Sequence, residues 1–167
     1  MKVELRGAMG LVVCAAVLGA AGAAAGETKT HKEAGVTIWV PDTWKSTSKA
    51  DVLTIMDVKE EVAVTFVVLP ADSMKVALAK LDEELAKFVT DIDTKGAKPK
   101  EKKINGMDGV LLDAVGKVGG KPVDIGVMIL KTPTGKALFV LGIIEHDKLA
   151  EHSAMLKEVF NSLKPLK

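Results

Sequence analysis

The chain has 167 residues, with 23 Lys or Arg, 22 Asp or Glu and a formal charge of +1. This length allows one domain that buries about two-thirds of its unfolded surface, so a hydrophobic core alone can hold the fold. The near-zero charge argues against a nucleic-acid partner, because such partners attract basic surfaces. The one cysteine, Cys14, lies near the N-terminus, which excludes disulfides and cysteine-ligated metals from the rest of the chain.

Residues 1–25 have the pattern of a secretory signal peptide. Two basic residues precede an apolar run that ends in three alanines, and we expect cleavage after Ala25. The expected location is therefore periplasmic or secreted, and a leader retained as a membrane anchor is the alternative. The stretch LVVC resembles the lipobox of bacterial lipoproteins, but Val13 stands where a small residue is preferred. We interpret Cys14 as an ordinary leader residue and expect membrane contact only through an uncleaved or lipidated leader.

The mature chain begins with a polar, aperiodic segment, 26–34, which predicts a flexible lead-in to a single domain over 35–167. The first strand is VTIWV, whose alternating apolar residues face one side while Trp39 faces the other. Pro41 has no N–H to donate to a sheet, so the strand is expected to end there. Trp44 follows a short turn and is expected to fold over the apolar end as a lid. Presentation of Trp39 and Trp44 to a binding partner is the alternative.

Two strands and one long helix are predicted next. The segments 51–57 and 61–69 are strands, and the second is apolar on both faces, as in a central strand that is covered on both sides. After Pro70, apolar residues spaced four and three apart predict a helix over 73–93. Its apolar stripe consists of Met74, Leu78, Leu81, Leu85, Phe88 and Ile92.

Glycine-containing turns divide the second half into strands. A turn or bulge at Gly106 or Gly109, a two-residue hairpin turn at Gly119-Gly120 and a four-residue turn, TPTG, separate apolar segments. Asp147 can then cap a last helix. The residues of that helix expected to face inward are Leu149, Leu156, Val159, Phe160 and Leu163.

This order of elements contains no repeated strand–helix–strand unit, so the sheet should be mainly antiparallel. The predicted class is α+β, with a sheet of about six or seven strands sandwiched by two main helices in an α/β/α arrangement. VTIWVPDTW, the long apolar helix, INGMDG and LKEVFNSLK together resemble the PsbP-like and DcrB-like group, over about residues 34–164. That group includes photosystem extrinsic subunits, a Ran-binding nuclear protein and exported bacterial proteins. The resemblance implies an antiparallel sheet between helices and a non-catalytic binding role, and it assigns no active-site residue.

The sequence offers little for metal or nucleophilic chemistry. Of the three histidines, His146 and His152 are six residues apart and would point in different directions on a helix, so no metal site is expected. Serine-hydrolase, phosphate-loop and zinc-protease motifs are absent from the sequence, and no cofactor is expected. GKVGGK lies between two strands and reads as a turn.

The predicted hairpin register shows which positions Asp113 and Asp124 face. With a hairpin turn at residues 119–120, Asp113 faces Gly126 and Asp124 faces Val115, so the two carboxylates share a face as diagonal neighbours. Asp113 and Asp124 are therefore the weak catalytic candidates of this chain. The alternative is that both are solvated or paired with Lys117.

The count can be continued through TPTG to the next strand. It places Asp124 opposite Ile143 and Gly126 opposite Leu141. The face would have a gap at Gly126. Its apolar members would be Leu111, Met128 and Phe139.

A run of lysines follows the long helix: Lys95, Lys98, Lys100, Lys102 and Lys103. Alternating lysines commonly guard an exposed sheet edge, and Pro99 fits an edge as well. Contact of Lys98, Lys100 and Lys102 with an anionic partner is the functional alternative.

Taken together, the sequence predicts an exported, non-catalytic binding or accessory domain, with a protein as the expected partner. The first alternative is a carrier of a small apolar ligand or lipid, with a cavity between the helix over 73–93 and the sheet. The second alternative is a hydrolase-like enzyme that uses Asp113 and Asp124.

Overall fold

The computed structural model describes residues 25–70, 74–93 and 98–166. Within them, eight strands form one antiparallel sheet, three strands form a second, smaller sheet, and one long helix lies near the C-terminus. The predicted leader, Cys14 included, lies outside these residues except for Ala25. The α+β class and the antiparallel sheet are confirmed, but the predicted number of about six or seven strands is too low, because the large sheet has eight.

The large sheet contains β3 (Trp44–Lys49), β4 (Val52–Asp57), β5 (Val62–Leu69), β6 (Thr90–Asp93), β7 (Lys100–Ile104), β8 (Met107–Val118), β9 (Lys121–Lys131) and β10 (Ala137–Glu145). Their spatial order is β3-β4-β5-β10-β9-β8-β6, and β7 also pairs with β8. The small sheet contains β1 (Gly26–His31), β2 (Val36–Pro41) and β11 (Lys164–Pro165), in the order β1-β2-β11. The α-helices are α1 (Met74–Ala79), α2 (Leu81–Ala86) and α3 (Leu149–Ser162).

Apolar side chains pack on both faces of the large sheet. One face is covered by β2 and α3, where Ile38, Val64 and Val159 are fully buried. The other face is covered by α1 and α2, where Leu85 and Phe139 are fully buried. Burial of one such side chain stabilises the fold by about 1.5–3 kcal/mol relative to its exposure. The sheet is thus covered on both sides, but by a small sheet and one long helix on one side and two short helices on the other.

The prediction of a flexible lead-in over 26–34 is wrong in part, because this segment contains β1. This strand pairs antiparallel with β2 along its whole length, from Gly26 opposite Pro41 to His31 opposite Val36. Most of its side chains are exposed, so its residues have no need to alternate between polar and apolar. The domain therefore begins at β1 rather than at residue 35.

The segment that contains Trp39 and Trp44 has nearly the predicted structure. The strand over 36–40 is confirmed as β2, which ends at Pro41. Trp44 packs half-buried against the core on the α3 side, as Trp39 does. It does so, however, as the first residue of strand β3, opposite Asp57, and not as a lid in a loop.

The predicted helix over 73–93 is wrong in length. The chain instead forms α1 and α2 and then strand β6, with a left-handed φ of 51° at Asp91. β6 pairs with β8 at Val115 and Lys117, beyond the part of β8 that β7 covers. Pairing at an otherwise open edge thus overrides the helical spacing of the apolar residues.

The hairpin turn at Gly119-Gly120 is confirmed. Both glycines have positive φ values, 57° and 83°, as a two-residue turn of this kind requires. Asp113 faces Gly126, as the register count predicts.

The register through TPTG is wrong by one residue. Thr132 and Lys136 face each other, and the Thr132 N–H donates to the Lys136 carbonyl at 2.9 Å. The loop between them has three residues instead of four. Asp124 therefore faces Ile144 and not Ile143.

The same shift changes the partner of Gly126, which faces Gly142 and not Leu141. It also moves Phe139 to the opposite face of the sheet, where it packs with α1 and α2. An odd shift exchanges the two faces of a strand, because the side-chain period is two residues.

The last helix is confirmed as α3, with Leu156, Val159 and Leu163 buried. Leu149, however, is 42% exposed, and Asp147 does not cap the helix. Asp147 lies instead in a short 3-10 turn, His146–Lys148, that precedes α3. No helix in the described ranges has the length and apolar character needed to cross a bilayer.

Candidate functional site

A groove of about 290 Å³ lies between α3 and the part of the large sheet formed by β7, β8 and β9. We call it the α3 groove. The helix contributes Leu149, Ser153, Leu156, Lys157, Phe160 and Asn161. The sheet contributes Lys102, Ile104, Leu111, Asp113, Gly126, Val127 and Met128.

Two facing glycines explain why the space is open. Gly126 on β9 and Gly142 on β10 are direct partners on the α3 face of the sheet. A Cβ at Gly142 would lie 2.8 Å from Cζ of Phe160, so the aromatic ring occupies the space above that glycine. A Cβ at Gly126 would have no described atom within 4 Å. The phenylalanine thus fills one glycine gap and leaves the other as the floor of the groove.

The direction of α3 keeps the groove open. The helix packs on β2 and β10, so the face of β8 and β9 lies beside it instead of beneath it. Asn105, in the turn between β7 and β8, donates from Nδ2 to the carbonyls of Asn161 at 2.8 Å and Leu163 at 2.6 Å. At the same end of the helix, Ser162 Oγ accepts the Trp39 N–H at 2.9 Å. These bonds fix the C-terminal end of α3.

The inside of the groove is apolar and its rim is charged. Ile104, Met128 and Leu156 are buried in its wall, whereas Lys102 and Lys157 are exposed at its edge. Long lysine stems can cover apolar surface while the ammonium groups stay in water. An apolar group with a polar end therefore fits this arrangement.

Asp113 and Asp124, the two catalytic candidates, each have a separate partner. Asp113 is 78% exposed and forms an ion pair with Lys100 at 3.3 Å. Asp124 is less exposed, and its Oδ2 lies 2.8 Å from His146 Nδ1. Each carboxylate has its own cationic or histidine partner, and the expected partner Lys117 pairs with Asp91 instead. Asp113 does line the α3 groove, which is the gap that the sequence places at Gly126.

Another polar cluster joins α3 to the hairpin between β4 and β5. Asp57, Glu61 and His152 bring possible metal-ligand atoms within 4.8 Å of one another. Both Asp57 oxygens already accept backbone N–H groups, from Lys59 at 3.1 Å and from residue 62 at 3.0 Å. Glu61 lies 3.0 Å from His152 Nε2 and 3.2 Å from Lys148 Nζ. The two carboxylates of the cluster thus already have partners within the protein: backbone N–H groups at Asp57, and His152 and Lys148 at Glu61.

The hydrogen bond with His152 lowers the pKa of Glu61 below its usual value, and the charge of Lys148 acts in the same direction. Burial opposes this shift without reversing it. The lowered pKa favours the ionised form of Glu61 at neutral pH.

The other predicted binding residues lie on two surfaces. Trp39 and Trp44 are half-buried at the small sheet and at the start of β3. Lys98 and Lys100 are exposed, at and just before the edge strand β7. Lys102 is the residue among these five that lines the α3 groove, and Lys95 lies outside the described residues.

The α3 groove lies on the face of the sheet opposite to the cavity that the carrier alternative placed beneath the helix over 73–93. Beneath the actual α1 and α2, Ala77, Leu81 and Leu85 are buried together with Phe139. The contribution of α3 to the groove was not predicted from the sequence. A signal was present, because Leu149, Ser153, Leu156, Phe160 and Asn161 recur at helical spacing and include two polar residues.

Comparison with known proteins identifies the fold. No family model and no curated protein sequence matches the chain. The solution structure of cyanobacterial PsbP (CyanoP) from Synechocystis sp. PCC 6803 matches with a TM-score of 0.60 at 13% identity, covering 87% of this chain and 95% of that chain.

Two further structures match over most of their length. The Saccharomyces cerevisiae Ran-binding protein Mog1p has a TM-score of 0.54 at 11% identity, with 87% of this chain and 97% of that chain covered. LpqN, involved in cell envelope biogenesis of Mycobacterium tuberculosis, has a TM-score of 0.56 at 12% identity, with coverages of 84% and 90%. The chain therefore has the PsbP-like fold that its sequence resemblance implies.

Proposed function

We propose that this chain is an exported, non-catalytic binding protein that takes an apolar group into the α3 groove. The observation that supports this most is the empty space above Gly126, next to the matching space that Phe160 fills above Gly142. An apolar cleft with a few polar groups at its rim is the usual form of a small-ligand site. The separate partners of Asp113 and Asp124 argue against an acid–base pair.

The test uses a neutral apolar fluorescent probe, N-phenyl-1-naphthylamine, whose emission rises in apolar surroundings. Gly126→Leu places a side chain in open space and should fill the groove without disturbing the fold. Thr47→Leu adds the same side chain to the exposed edge strand β3 and is the matched control.

We expect the wild type and Thr47→Leu to bind the probe alike, and Gly126→Leu to bind it at least about tenfold more weakly, since a leucine there occupies the site. Urea unfolding of all three proteins would show that the fold is intact. Equal probe binding by wild type and Gly126→Leu, or no binding by any of them, would reject the groove as the binding site.

Export is part of the proposal. Cleavage after Ala25 would leave β1, which begins at Gly26, whole and paired with β2. The N-terminus of the protein recovered from the periplasm or medium should therefore be Gly26. An intact leader on the accumulated protein would favour the membrane-anchored alternative.

A protein partner is the second candidate function. It is supported by the exposed lysines of β7 and by the fold shared with a protein whose name states Ran binding. A partner that binds wild type and Gly126→Leu equally, but not a Lys100→Glu variant, would place the interaction on β7 and outside the groove. Retention of the partner by Lys100→Glu would argue against that surface.

A further inference from the structure

We infer that the ligand of the α3 groove is an anionic single-chain amphiphile, whose carboxylate or phosphate head lies between Lys102 and Lys157 and whose chain lies over Gly126. This inference rests on the proposed function and adds the chemical class of the ligand.

The first support is the pairing of the lysines on β7. Lys100 pairs with Asp113 at 3.3 Å, and Lys103 pairs with Asp108 at 3.1 Å. Lys102 lies between these two in the same strand and lines the groove, yet it forms no ion pair with the described residues.

Lys157 is its counterpart on the opposite wall. It lies on α3, is exposed, lines the groove and likewise has no acidic partner in the described ranges. The one acid in the lining, Asp113, is already neutralised by Lys100. The mouth of the groove therefore carries uncompensated positive charge, which favours an anionic group over a neutral or cationic one.

The second support is the size and shape of the apolar part. About 290 Å³ is at the lower limit of small-ligand sites, which span ~300–1,000 Å³. A bound amphipathic helix would need several apolar pockets at the spacing of its turns. One space above one glycine suits one alkyl chain better.

The apolar contacts would supply most of the affinity, and the lysines would supply the selectivity. An exposed ion pair changes affinity by up to about fivefold, so the two lysines together would give a preference of up to about 25-fold. Because both ammonium groups are exposed, this preference should fall as salt concentration rises.

The experiment measures displacement of N-phenyl-1-naphthylamine from the purified protein, as it accumulates in the cell, by three ten-carbon compounds. These are decanoate, 1-decanol and decyltrimethylammonium, all used below the concentrations at which they aggregate. Decyl phosphate in a fourth arm separates a phosphate head from a carboxylate head. The variants are Lys102→Gln/Lys157→Gln and, as a matched control, Lys45→Gln/Lys49→Gln on the exposed strand β3.

We expect wild type and the β3 control to bind decanoate or decyl phosphate about tenfold more tightly than decanol. The Lys102→Gln/Lys157→Gln protein should lose that preference and still bind decanol and the neutral probe. The preference of the wild type should also shrink at high salt.

Other outcomes would overturn the inference. Equal binding of decanoate and decanol by the wild type would leave the groove as an apolar site but reject the anionic ligand. A preference that survives in Lys102→Gln/Lys157→Gln would place the head group elsewhere. Displacement of the probe by an acidic amphipathic peptide, but not by decanoate or decyl phosphate, would assign the groove to a polypeptide. Failure of the probe itself to bind would reject the proposed function as well.

Discussion

Replacing each of the two facing glycines with alanine gives a direct test of the packing around the α3 groove. Gly126 and Gly142 are partners in the same ladder, neither has a positive φ, and both lie on the α3 face. They differ in what a new methyl group would meet. At Gly126 it enters open space, and at Gly142 it lies 2.8 Å from Cζ and 3.6 Å from Cε2 of Phe160.

The two substitutions share one effect and differ in another. Glycine to alanine at a compatible backbone position stabilises a protein by about 0.4–1 kcal/mol, because the unfolded chain loses freedom. At Gly142 the ring of Phe160 must move, and overpacking of this kind costs about 1–3 kcal/mol. Gly126→Ala should therefore be slightly more stable than wild type. Gly142→Ala should be about 1–3 kcal/mol less stable than Gly126→Ala.

Urea unfolding followed by tryptophan fluorescence measures this difference. With a slope of about 2 kcal/mol per molar urea, the two midpoints should differ by about 0.5–1.5 M. Phe160→Leu in the Gly142→Ala background should recover part of the loss, because it shortens the side chain that the methyl group meets. A midpoint for Gly142→Ala equal to or above that of Gly126→Ala would refute the packing described here.

Substitutions at Asn105, Glu61 and Asp124 test polar contacts outside the groove lining. Asn105→Ala removes both hydrogen bonds to the C-terminal end of α3 and should lower the unfolding free energy by about 1–3 kcal/mol. Asn105 also has a positive φ of 46°, so Asn105→Gly, which tolerates that φ, separates the loss of the hydrogen bonds from backbone strain. An unchanged urea midpoint in Asn105→Ala would contradict the prediction. Because the folded-state pKa of Glu61 is lowered, its contribution to stability is present above the unfolded value of about 4.3 and is lost as pH falls through the lowered folded value. The difference in unfolding midpoint between wild type and Glu61→Gln should thus shrink as the pH falls below about 4, and a difference that grows over that acidic range would be the wrong sign. Asp124→Asn, which does not line the groove, should change stability by less than about 1 kcal/mol and leave cellular function intact, whereas loss of function in the folded variant would revive the enzyme alternative.

Local patterns predicted the parts of this fold that depend on local chemistry. Two consecutive glycines between alternating segments specify a two-residue hairpin, and the register they set at Asp113 and Gly126 is the observed one. The apolar run over 61–69 became the central strand β5, which is paired on both sides. Pro41 ends β2 for a reason that is visible in the sequence, its missing N–H.

The sequence-based predictions were wrong where contacts between distant parts of the chain determine the local structure. The apolar spacing over 73–93 fits a helix, but β8 extends beyond β7 and offers an edge that β6 pairs with. The TPTG turn has three loop residues instead of four, and that one residue moved Phe139 to the other face. Neither event can be read from the segment in which it occurs.

The sequence predicts the sheet side of the groove but not the helix side. A gap at Gly126, with Leu111 and Met128 on the same face, follows from the hairpin register. What covers that face does not follow, because it depends on where α3 crosses the sheet. The sequence also gives no means of knowing that Phe160 would cover Gly142 and leave its partner open.

Both ends of α3 are fixed, and this bears on how the groove would bind. Near its N-terminus, His152 lies 3.0 Å from Glu61 in the β4–β5 hairpin, and β10 and β9 separate β5 from β8 in the strand order. At its C-terminus, Asn105 and Ser162 bond α3 to the β7–β8 turn and to β2. A helix held at both ends cannot readily shift to close the space over Gly126, so the groove is formed before any ligand arrives. A preformed site avoids the cost of ordering itself, and binding there should alter the backbone little. It follows that the affinity of a ligand should depend on the length of its chain and the charge of its head, and hardly at all on substitutions in β1 or β3 far from the groove.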